Sequence, residues 1–173
     1  MKGHVLALAL CLIPLLLSQT GCIVSPNNPP EPTEPNSNEL WVYTGYMANG
    51  IDIMPLTDFV PAQSAEQQSM IEIYVGLLDR FGSQIKAPGV FRFELYEYIR
   101  RSAEPKGKRI TIWSDIDLTA PNDNNFYWQD YLRAYRFNLE FEPEQNTGYV
   151  LQVTCMCPSG KRLSADFVLK VNP

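Results

Sequence analysis

The sequence predicts an all-β domain, a single antiparallel sandwich of seven to eight strands. Three observations carry that expectation. Beyond residue 40, apolar and polar residues alternate with period two, the pattern of strands buried on one face only. Clusters rich in Gly, Pro, Asn and Ser break the alternation at sandwich-like intervals. No long amphipathic helical pattern lies between them.

In chain order, Trp41 to Val60 supplies one or two strands, and Pro55 and Pro61 confine them to an edge or a kink because proline cannot donate to a ladder. From Met70 to Asp79, Ile71, Ile73 and Val75 share one face, with Glu72 and Tyr74 on the other. Turns at Arg80-Phe81-Gly82-Ser83 and Pro88-Gly89 lead to a strand in which Phe91, Phe93 and Leu95 alternate with Arg92, Glu94 and Tyr96. After Pro105-Lys106-Gly107-Lys108, the stretch Arg109 to Leu118 sets Ile110 and Ile112 against Thr111 and Trp113. Between Asn125 and Tyr135 the period changes. Tyr127, Tyr131 and Tyr135 recur every four residues and Trp128 stands four before Leu132, which predicts one short helix or turn near 125–135, crossing between sheets. Alternation resumes with Tyr135, Phe137, Leu139 and Phe141 against Arg136, Asn138, Glu140 and Glu142. Following Asn146-Thr147-Gly148, Tyr149, Leu151, Val153, Cys155 and Cys157 share a face. Pro158-Ser159-Gly160-Lys161 then joins them to the last strand, with Leu163, Ala165, Phe167, Leu169 and Val171, as a C-terminal hairpin. In strand number and spacing the domain resembles immunoglobulin-like or transthyretin-like sandwiches, without the Cys…Trp…Cys spacing of antibody domains. A likeness of fold carries no function by itself.

The chain opens differently. Behind Lys2, the thirteen apolar-rich residues from Val5 to Leu17 match the ~7–15 of a signal-peptide core and fall short of the ~18–20 that span a bilayer. Pro14 further interrupts a continuous helix there. The stretch Leu15-Leu16-Leu17-Ser18-Gln19-Thr20-Gly21-Cys22 resembles the signal of a bacterial lipoprotein. In that family the peptide is cut before a Cys that is lipidated through its sulfur, and small residues precede it. Thr20 and Gly21 fit, whereas Gln19 stands where Leu is usual. The resemblance implies a leader over 1–21, acylation of Cys22 with palmitate-type chains, and attachment to a membrane on the extracytoplasmic side. Plain secretion is the alternative, although no A-x-A-like site is present. Residues 22–39 hold five prolines and, beyond Ile23 and Val24, no large apolar residue, so they read as a flexible tether before the 40–173 domain.

Composition excludes several chemistries. The chain has 14 basic and 19 acidic side chains, an excess of acid that argues against nucleic acid as a partner. Its single histidine is His4, inside the leader. A mature chain without histidine cannot build a Ser-His-Asp triad, a Cys-His dyad or a His-ligated zinc site. No cofactor is expected. The scattered carboxylates Glu94, Glu97, Glu140 and Asp166 show no spacing that pairs an acid with a base.

Four clusters remain as site candidates. Cys155-Met156-Cys157 projects two thiols from one strand face, read as buried small hydrophobes, a strained or intermolecular disulfide, or a weak metal site. Asp115, Asp117 and Asp123, among Asn122, Asn124 and Asn125, are candidate calcium ligands without EF-hand spacing, or ordinary turn and capping residues. Arg100, Arg101, Lys106, Lys108 and Arg109 face an anionic surface or form a solvated hairpin. Trp113, Tyr127, Trp128 and Tyr131, with Tyr135, are binding aromatics or core. The expected function is a lipid-anchored, non-enzymatic module for protein interaction or envelope assembly. Its partners would be the membrane, through Cys22, and an envelope protein. The alternative is a carbohydrate-binding or carboxylate-based hydrolytic module.

Overall fold

A computed structural model describes residues 47–64 and 67–170. The leader, Cys22, the tether and the part of the first strand region before Met47 lie outside the described residues. The domain is an all-β sandwich of two antiparallel sheets with one short helix.

Strand β1 (Gly50–Ile53), β2 (Asp58–Val60) and β4 (Gln84–Ile85) all pair with the long β3 (Met70–Leu78). β1 and β2 lie on one side of β3, and on the other side, next to β4, it meets β9 (Ala134–Glu140), which pairs in turn with the short β8 (Trp128–Gln129). The second sheet runs in the order β11 (Arg162–Lys170), β10 (Gly148–Met156), β5 (Val90–Tyr98), β6 (Lys106–Ile112), with β7 (Ile116–Asp117) beside the start of β5. The six long alternating runs in the sequence are the six long strands, and the additional short strands continue their edges.

The core lies where the inward faces meet. Ile71, Ile73, Val75 and Leu77 of β3 and Tyr135, Phe137 and Leu139 of β9 pack against Phe91, Phe93 and Leu95 of β5 and Leu151, Val153 and Cys155 of β10. Aromatic rings bridge the sheets, with Phe137 at 4.8 Å from Phe93 and 5.2 Å from Phe91 between centroids. Buried rings in such tilted contacts contribute ~0.5–1.5 kcal/mol beyond their area.

Two local expectations shift. The helix α1 spans Pro121–Tyr127, not 125–135. Pro121 starts it, since a proline at the first position lacks only an N–H that a helix leaves unpaired. The chain then extends at Trp128, and the four-residue periodicity belongs to a β8–β9 hairpin whose turn closes through Arg133 at φ 52°. The three tyrosines accordingly share no face. Tyr135 is buried, Tyr127 is half-buried on Phe137 at 5.2 Å, and Tyr131 is 76% exposed. In β6 the faces are reversed. A bulge leaves Ile110 without a partner between Arg109, opposite Tyr96, and Thr111, opposite Leu95. Ile112 then lies opposite outward-facing Glu94, so both isoleucines are 46% exposed while Trp113 packs against the core.

Candidate functional site

The three aspartates do not converge. Asp115 receives Arg92 through both oxygens, at 2.8 and 2.7 Å, and this ion pair holds its carboxyl below the usual aspartate range. Asp117 accepts from the Thr119 backbone and hydroxyl, which lowers its carboxyl likewise, and Asp123 lies exposed in the first turn of α1. Among the described residues no group of three carboxylate, thiol or imidazole side chains is placed to hold a metal. Asn124, from the same stretch, is instead a buried strut. Its amide donates to Leu118 O (2.9 Å) and Ala87 O (3.1 Å), and its oxygen lies 3.0 Å from the Tyr135 hydroxyl.

Among the aromatics, Trp113 donates its indole N–H to Glu140 O at 3.1 Å, and Trp128 donates to Asp130 while stacking edge-on against Tyr135 at 5.1 Å. Both bridge elements from a half-buried position, and of the four only Tyr131 presents a largely bare ring. Cys155 and Cys157 are free and buried. Burial first, then the neighbouring Cys157, pushes the Cys155 thiol up to about 12, so it is an inert apolar filler and not a nucleophile.

Two of the five basic residues, Lys106 and Arg109, are committed to the outer face of the second sheet. Arg109 bonds the buried Glu94 carboxylate at 2.8 Å, which also accepts from Tyr96 at 3.1 Å. Lys106 lies over the Tyr96 ring and reaches Asp166 on β11 at 2.8 Å. With Arg92 and Asp115, these pairs cover that face with side chains bonded to one another. Arg100, Arg101 and Lys108 form no ion pair among the described residues.

Two features escape linear reading. The first is a groove of about 500 Å³ along the open seam between β6 and the β9–β10 loop, lined by Lys108, Arg109 and Ile110 on one side and Phe141, Glu142 and Glu144 on the other. Its carboxylates come from segments 45 residues apart, Glu97 and Glu142, so no motif announces it. The second is the pair of sheet edges. β11 ends its sheet, and none of its nine residues has a main-chain partner on the outer side among the described residues. β6 ends the same sheet on the opposite side, but it carries Lys106, Lys108 and Arg109 and the bulge. Such charge and irregularity are how sheet edges resist pairing.

Comparison with protein-family models, with curated proteins and with solved structures finds no match in any of the three.

Proposed function

We propose that the chain is an extracytoplasmic lipoprotein, anchored through Cys22, whose β-sandwich is a non-enzymatic module for protein interaction or envelope assembly. The observation that supports the interaction reading most directly is the β11 edge, without an outer main-chain partner among the described residues, beside a sheet face filled by its own ion pairs. An extended segment gains main-chain hydrogen bonds by adding to such an edge, with no cleft or catalytic group required. The anchor reading is supported by the short apolar core before Thr20-Gly21-Cys22. Multiple acyl chains, each methylene contributing ~0.8 kcal/mol, hold such a protein firmly at a membrane. In cells labelled with a fatty-acid probe, Cys22→Ser should abolish labelling and move the protein from the membrane fraction to the soluble fraction. Labelling lost with membrane retention unchanged would refute the anchor.

The groove favours a second reading. Glu97, Glu142 and Glu144 beside Phe141 give a seam with the carboxylates and ring that a carbohydrate-binding or hydrolytic module uses. The edge reading ranks first because Tyr149 at the groove floor is buried and Phe141 is packed edge-on against it at 5.3 Å, leaving no flat ring for a sugar.

A further inference from the structure

We infer that the occupant of the β11 edge is a second copy of this chain, added antiparallel about a two-fold axis at Val168. The inference rests on the interaction reading above and names its partner.

β11 pairs with β10 in unbroken register from Arg162 opposite Met156 to Lys170 opposite Gly148, with no bulge and no proline. It is therefore a straight nine-residue edge, the kind most open to pairing. Its first half is flanked by β1. Lys161, immediately before β11, donates to Asn49, immediately before the four-residue β1, and the two strands run side by side. The half ending at Lys170 borders, through Lys170 itself, a hollow of about 440 Å³ shared with Asp58, Phe59 and Val60 of β2. That half carries the outward row Asp166, Val168, Lys170, and Val168 is 38% exposed.

Charge separates the two axes that fall on the outward row of this half. An axis at Asp166 would set Asp166 against its own copy and Arg162 against Lys170, two like-charge clashes. An axis at Val168 sets Val168 against Val168 and Asp166 against Lys170 on both sides, and on the inner face puts half-buried Phe167 against Leu169. Directly opposed pairs of this kind contribute where like charges penalise. The contact is isologous and closes on itself, so it consumes the stretch from Asp166 to Lys170 without propagating a fibre. Both ends of the joined sheet are then the guarded β6 edge.

The test uses the full chain, with Cys22→Ser in solution and with native Cys22 in phosphatidylcholine vesicles. Analytical ultracentrifugation and native mass spectrometry should show a dimer that Val168→Lys converts to monomer, with an unchanged circular dichroism spectrum. Opposed Cβ atoms lie ~4.5–5.5 Å apart, so Val168→Cys should cross-link to its copy on oxidation or with a short bis-maleimide. Ser164→Cys, far from its own copy in this register, should not. A monomer in both settings overturns the proposal, as does cross-linking through Ser164→Cys alone. Hydrogen exchange closes the remaining route. Protected β11 amides in a monomeric chain would mean that the chain's own upstream residues cover the edge, which also overturns it. A monomer that binds a foreign extended strand at β11 would defeat this proposal and leave the broader interaction reading intact. Membrane release by Cys22→Ser is read independently of both.

Discussion

Asn124 sits in a seven-residue helix whose Asn-rich sequence scarcely favours one, and it is there for its amide. It serves two carbonyls and the Tyr135 hydroxyl at a point where helix, β9 and the segment before β5 meet. The Tyr135 oxygen also accepts from the Ala87 N–H at 2.9 Å, so the site is a closed polar knot against the core. Asn124→Ala should lower unfolding free energy by ~1–3 kcal/mol, because buried acceptors lose their donors while water stays excluded. Urea denaturation measures this, and an unchanged midpoint would show that water replaces the amide. In sequence, Asn124 is indistinguishable from its neighbours Asn122 and Asn125, which stay exposed. What sets it apart is the convergence of Ala87, Leu118 and Tyr135 from three other segments, and no local pattern encodes that.

Strands that alternate strictly were legible, and the reason is physical. Along β3 and β5 every second residue enters a closed core, so the pattern is the burial. β6 was legible as a strand and misread in facing, because a bulge resets parity at Ile110 and the partner strand, not the local period, decides which side is inner. The tyrosine repeat failed for a related reason, since one turn residue at positive φ, Arg133, places two short strands where a helix would have run. A tighter contact between elements lies between the segment before β5 and the end of β10. A methyl built on Gly89 would stand 2.5 Å from Cys155 Sγ and 3.4 Å from Met156 O. Gly89→Ala should therefore destabilise by ~1–3 kcal/mol through overpacking. Combining it with Cys155→Ala should cost less than the two single changes together, since the smaller side chain gives the methyl room. Strict additivity in the double-mutant cycle would show that the strain is relieved by backbone movement.

Over the whole molecule, the buried thiol also makes stability depend on alkaline pH. Cys155 titrates near ~8.5 when unfolded and at about 12 in the fold, raised by burial and then by Cys157. A folded pKa above the unfolded one means this contribution is full below the unfolded value and declines as pH rises toward the folded value. Between pH 7.5 and 9.5 the urea midpoint should fall, the unfolding free energy dropping by at most ~1.4 kcal/mol per pH unit for one proton, and Cys155→Ala should flatten that fall. Above that window buried Tyr135, whose phenol burial also raises, adds a decline of the same sign. A midpoint that is level across the window in the parent chain would mean that the thiolate is solvated. At this scale the sequence was most informative through its composition, with His4 as its single histidine. It was silent on the β6 seam and the β11 edge, because a strand's place in its sheet is a property of topology.

That topology has a consequence for how the chain is made. The core-side partner of β3 is β9 and that of β5 is β10, so both sheets wait for residues beyond Ala134. An emerging chain holds two long apolar strands with only β1, β2, β4, β6 and β7 to pair with, and neither sheet can shut on the other. Closure through such distant contacts is slow and comes last. For a chain exported as proposed, this delay is useful. Threading through a membrane needs a polypeptide that has not yet folded, and this strand order postpones folding until β9 and β10 have emerged.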